Sequence, residues 1–111
     1  MTVTTKVLIQ SKSLEDVQTT QYTATNVTTI IDKCVVTNVS AAAITFSFNI
    51  VNSGGTAGMD NVFILTKSIQ AGEAYLCPEI VGQTLQNGNF VSTLVSAVTS
   101  LSCRMSGREI S

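Results

Sequence analysis

The stretch Ile44-Thr45-Phe46-Ser47-Phe48-Asn49-Ile50 decides the fold class. Its apolar residues Ile44, Phe46, Phe48 and Ile50 alternate with the polar Thr45, Ser47 and Asn49. Side chains along an extended strand point to opposite faces in turn, so this pattern describes a strand with one buried and one outward face. Asn52-Ser53-Gly54-Gly55-Thr56-Ala57-Gly58 follows and reads as a loop, because its glycines are free to adopt positive φ.

The same period extends in both directions. Val3–Gln10 alternates, with Val3, Val7 and Ile9 expected on one face. Ser11–Thr20 is polar, and Ser13–Asp16 allows one helical turn at most. Thr19–Ala24 fits a Thr-rich edge strand, and Thr28–Asn38 is dense in β-branched residues that favour a pleated surface. In Asn61–Ile69 the apolar run Val62–Leu65 predicts cover on both faces. Glu73–Cys77 is a short strand closed by Pro78, which has no N–H to give to a ladder. Asn87-Gly88 is the strongest two-residue turn signal. Phe90–Val98 and Leu101–Ser106 complete the set, with Leu101, Cys103 and Met105 inward. About eight short strands joined by turns predict an all-β chain. The expected fold is an antiparallel β-sandwich, jelly-roll or Ig-like, with a closed barrel as the alternative. The 111 residues make one domain, with 1–18 as an N-terminal strand or arm.

Composition narrows the function. Hydrophobic residues are 44% of the chain, enough for a core, so disorder is excluded. Six Lys and Arg against seven Asp and Glu give a net charge of -1, which argues against nucleic acid as a partner. The chain contains no histidine, so Ser-His-Asp and Cys-His catalysis and imidazole metal sites are excluded. Charged residues are only 12%, against about 25% in soluble domains. With a mean hydropathy of +0.34, the surface must be covered largely by Thr, Ser and Asn. A near-neutral surface of this kind favours association.

No residue pattern carries catalysis, and we expect neither an enzyme nor a bound cofactor. Cys34, Cys77 and Cys103 are odd in number, widely spaced and without a CxxC, so they read as buried reduced thiols rather than metal ligands. Asp60-Asn61 could offer oxygens to Ca²⁺ but fits a turn-capping pair better. The glycine loop lacks the Lys and Ser/Thr of a phosphate loop. Asn26-Val27-Thr28 and Asn38-Val39-Ser40 match glycosylation acceptors as chance matches in a Thr- and Asn-rich chain. Met1–Lys6 lacks the basic and apolar regions of a signal peptide, and no apolar run approaches membrane-spanning length. Synthesis in a reducing cytoplasm and no membrane association are expected.

The candidate contact residues are therefore surface residues. Arg104 and Arg108 share one side of an extended segment and form a candidate strip for an acidic partner. Thr45, Ser47 and Asn49, with Ser92 and Ser96, are expected at outward positions of a neutral face that packs against another subunit. Only Lys6 and Pro78 stand as guards against edge pairing, which also points to assembly.

A longer cadence runs through residues 20–110. Thr28-Thr29-Ile30-Ile31-Asp32-Lys33 leads to Val36-Thr37-Asn38, a strand, and Asn52-Ser53-Gly54-Gly55. Ser68-Ile69-Gln70-Ala71-Gly72-Glu73, Leu85-Gln86-Asn87-Gly88-Asn89 and Arg104-Met105-Ser106-Gly107-Arg108-Glu109 follow. This succession resembles the small β-sandwich structural proteins of tailed bacteriophages, with Asn89 standing where that pattern often has Asp. The resemblance implies a virion component made in the host cytoplasm. The leading expectation is a capsid decoration, or cement, protein that bridges major capsid subunits as a trimer or dimer. A neck, collar or tail accessory protein is the alternative. A carbohydrate-binding module is a third, although the chain has only Tyr22, Tyr75 and four phenylalanines to build an aromatic platform.

Overall fold

Nine strands and no helix make up the computed structural model, which describes residues 1–111. They are β1 (Val3–Ser13), β2 (Thr19–Thr23), β3 (Thr28–Asn38), β4 (Ile44–Val51) and β5 (Val62–Ile69), then β6 (Ala74–Tyr75), β7 (Thr84–Leu85), β8 (Phe90–Val95) and β9 (Leu101–Ile110). Every pairing is antiparallel, and the pairs are nested. β4 pairs with β5, β3 with both β6 and β7, β2 with β8, and β1 with β9. The chain is thus one long hairpin rolled onto itself. Further pairings of β3 with β9 and β4 with β8 divide it into two sheets. One runs β1-β9-β3, with β6 and β7 sharing the last position, and the other runs β2-β8-β4-β5. That order is the jelly-roll member of the two sandwich types expected, with one strand split in two.

β4 has the alternation that its sequence demands. Phe46 and Phe48 are fully buried, their rings edge to face at 6.2 Å between centroids. They sit in a core of 20 residues that includes Ile31, Val36, Ile69, Leu85, Leu101 and Met105. Asn87-Gly88 does not close a hairpin. It turns the chain from β7 in one sheet to β8 in the other, with Gly88 at φ 90.

Four local expectations are corrected. In β1, Leu8 and Ile9 are both buried because register shifts on both sides of Ile9 break the alternation, and Val3, in the regular stretch before them, is half exposed. Val62–Leu65 is not covered on both faces. β5 is an edge strand with a bulge beside Ile64, which buries Ile64 and leaves Phe63 and Leu65 exposed. Ser13–Asp16 forms no helical turn; Leu14 is buried there and its N–H bonds to the Leu101 carbonyl at 2.9 Å. The strand from Phe90 stops at Val95, whereas β9 runs on to Ile110. No helix is long and apolar enough to cross a membrane.

Candidate functional site

The two outer sheet faces differ in how much polar capacity they have left. Ser47 and Asn49 lie on the outward side of β4, opposite the phenylalanines, yet both are buried, at 8% and 5% exposure. Their reading as exposed contact residues is therefore corrected. The physical reason differs between them: the glycine loop folds back and uses the Asn49 amide, whereas Ser47 is engaged from β5 by Thr66. Asn49 Nδ2 donates to the Gly58 carbonyl at 3.0 Å and to Asn61 Oδ1 at 2.7 Å. Asn61 Nδ2 in turn donates to the Thr56 carbonyl at 2.9 Å, and its Oδ1 also accepts the Gly58 N–H. Asn61 is thus a loop strap, and its oxygen is already committed. Ser47 Oγ accepts the Thr66 N–H at 2.9 Å and supports a backbone held at φ 44. Thr45 remains partly exposed, with its N–H bonded to Ser96 Oγ at 3.0 Å. Ser92 is buried, and Ser96 is exposed. Ser47 and Asn49 form the floor of a groove of about 310 Å³ bordered by Met59, Val62, Leu65 and Leu94.

The five-stranded sheet keeps more of its polar groups free. Ser102, Arg104, Ser106 and Arg108 alternate with the buried Leu101, Cys103, Met105 and Gly107, as the β9 pattern required. The two arginines differ in state. Arg108 forks onto Asp32, with Nε to Oδ2 at 3.0 Å and Nη2 to Oδ1 at 2.9 Å. The Asp32 carboxylate holds the guanidinium pKa above its ordinary value. Arg104 has no carboxylate and donates only to Ser11 Oγ, at 3.1 Å. It borders an open groove of about 400 Å³ together with Lys33, Val35, Thr37, Ser102 and Ser106. Sequence reasoning missed Lys33. Its outward position follows from the alternation Lys33-Val35-Thr37, but its meeting with Arg104 requires the β3–β9 pairing, in which Val35 stands opposite Arg104 and Lys33 opposite Ser106.

The remaining candidates are absorbed into the scaffold. Tyr22 donates its hydroxyl to Glu109 and shares a 2.7 Å bond with Thr29, while Tyr75 donates to Glu79. Asn38 is 1% exposed. Its amide donates to the carbonyls of Ala42 and Ile69, and its oxygen accepts from Ser40. That burial leaves no room for a glycan. Cys34, Cys77 and Cys103 are free and buried, with 3.9 Å between the Cys34 and Cys103 sulfurs.

The edges are better guarded than Lys6 and Pro78 suggested. β1 carries two register shifts and β2 one, and β6 and β7 have two residues each. On β5, Lys67 stands opposite the inward Phe46 and reaches across to Tyr75, 5.2 Å from its ring centroid. Bulges, short edge strands and inward-leaning charges all oppose edge-to-edge pairing.

No family model, curated protein or solved structure matches this chain.

Proposed function

We propose that this chain is a structural subunit of a tailed-phage virion, a capsid decoration (cement) protein that bridges and stabilises major capsid subunits. The observation that supports an assembly role is the open groove on each outer face; the edges are blunted, so sparse edge guarding gives assembly no support. A body of this shape does not extend through strand pairing and makes its contacts through its faces. Jelly rolls serve as capsid and as lectin domains, so the fold alone does not choose between them. The strand-and-turn cadence supports the phage reading.

The mechanism is burial without chemistry. A standard interface covers about 1,600 Å², and repetition over a lattice makes individually weak contacts sufficient. Self-association as a trimer or dimer fits the near-neutral surface. A neck or tail accessory position uses the same surfaces and differs in copy number.

The test is cryo-electron microscopy of particles from the source that encodes the chain. Hundreds of copies on the shell, and loss of heat and osmotic-shock resistance in particles lacking it, are the expected results. A few tens of copies at the neck or tail favour the accessory position. Particles without the chain overturn the proposal.

A further inference from the structure

We propose that the outer face of the five-stranded sheet docks an acidic segment of a neighbouring protein, with Lys33 and Arg104 receiving its carboxylates. This inference rests on the reading of the chain as an assembly subunit and names the chemistry of one partner surface.

The argument begins with the cations. The chain has six Lys and Arg residues. Lys6 pairs with Glu109, Lys12 with Glu15 and Arg108 with Asp32. Lys67 lies over the Tyr75 ring. Two cations remain without a carboxylate or an aromatic partner, Lys33 and Arg104, and both border the same groove. No carboxylate lines it, and Asp32, next to Lys33 in the chain, is held by Arg108. The hydroxyls of Thr37, Ser102 and Ser106 add unclaimed donors around a floor that includes Val35.

A guanidinium, an ammonium and several hydroxyls on a flat, open surface suit carboxylates presented by another chain. Arg binds a carboxylate through its planar fork, and such charge-assisted bonds are stronger than neutral ones. Nucleic acid fits less well. The chain is net negative, the groove has two cations rather than a row, and no aromatic side chain lines it for base stacking. Lys33 and Arg104 sit on neighbouring paired strands, so their spacing is built into the sheet.

Two measurements test this. In the first, the protein is titrated with a synthetic peptide of alternating Glu and Thr, with its Gln-for-Glu counterpart, and with an oligothymidylate of equal charge. The Glu peptide is expected to shift the backbone amide resonances of Lys33–Thr37 and Ser102–Ser106. Its Kd is expected to rise at least about tenfold in Arg104→Glu and to stay unchanged in Lys67→Gln. Equal binding of the Gln peptide, tighter binding of the oligonucleotide, or shifts elsewhere on the surface overturn the inference. In the second, wild type and the Lys33→Glu/Arg104→Glu variant, checked for native amide dispersion, compete for particles stripped of the protein. Preferential seating of wild type supports the groove. Equal seating removes the groove and leaves the assembly reading intact. If wild type seats on no particle while the Glu peptide still binds at the groove, the assembly reading fails and the groove stands.

Discussion

At single positions the sandwich is held by residues whose importance comes from space and polar satisfaction. Gly107 lies in β9 opposite Lys6 of β1 and Ile31 of β3, beside the register shift between Ile31 and Lys33. A Cβ there would stand 2.2 Å from the Ile30 carbonyl oxygen and 2.9 Å from Leu8 Cδ1. Backbone on one side and core on the other leave nothing free to move. Gly107→Ala is therefore expected to cost about 3 kcal/mol in urea unfolding, at the upper end of overpacking effects. Asn38 is the polar counterpart. It ties the turn after β3 to the end of β5 through the Ile69 carbonyl at 2.9 Å, and its removal leaves buried groups unpaired. Asn38→Ala is expected to lower stability by about 2–3 kcal/mol in the same measurement. Thr99 works in the other direction. It is exposed and held at φ 56, a conformation that penalises a β-branched residue. Thr99→Gly is expected to raise the urea midpoint, and a lowered midpoint would show that its hydroxyl bond to Val98 outweighs the strain.

Between elements, the two sheets are joined at one end by a polar link. Tyr22 from β2 meets Thr29 from β3 and Glu109 from β9, and Lys6 from β1 approaches Glu109 at 3.3 Å. The Tyr22 hydroxyl, then Lys6, lower the Glu109 carboxyl pKa against the opposing effect of burial. Burial and Glu109 raise the Tyr22 phenol to about 12. The signs follow separately. A carboxyl lowered in the folded state contributes stability above its unfolded value near 4.5, and that contribution is lost as pH falls through the folded value. A phenol raised in the folded state contributes stability below pH 10, lost as pH rises toward about 12. Urea midpoints followed against pH are expected to decline on both flanks, and Tyr22→Phe is expected to flatten the alkaline decline. An unchanged alkaline flank in the variant would refute the link. On β5, Lys67 guards the edge, so Lys67→Val is expected to raise self-association in sedimentation velocity. How legible these elements were depended on regularity. β4 and β9 alternate without interruption across their core positions, and their inward residues could be read directly. β1 could not, because its bulges place Leu8 and Ile9 on the same side. Ser47 and Asn49 were placed on the correct side of their strand, but local pattern carries no information about the β5 backbone that engages Ser47 or the loop that folds back on Asn49. Arg104 was legible as outward, while its difference from Arg108 depended on Asp32 from another strand.

The nested pairing decides how the whole molecule behaves. Its outermost pair joins Val3 to Ile110, so the first sheet closes only when the two ends of the chain meet. Contacts at such sequence separation make folding slow and leave little native structure in isolated segments. The three cysteines report on this from three places: Cys34 on β3, Cys103 on β9, and Cys77 between β6 and β7. All are buried, and the neighbouring Cys34 thiol, followed by burial, raises the Cys103 pKa far above the ordinary thiol range. A thiol must be exposed and ionised to react, so none should label in the native state. If the roll opens as one unit, a thiol reagent under native conditions should modify all three at the same rate, equal to the global unfolding rate when reagent is in excess. Cys77 is the sensitive position, because between the two-residue strands on either side its segment is tied to β3 only at Ile31, through Gly82 and Gln83, and its own φ is 50. Faster modification of Cys77 alone, located by peptide mass mapping, would show that residues 76–83 open independently of the two sheets. Equal rates at all three positions would show that the split strand is as firmly closed as the rest of the roll.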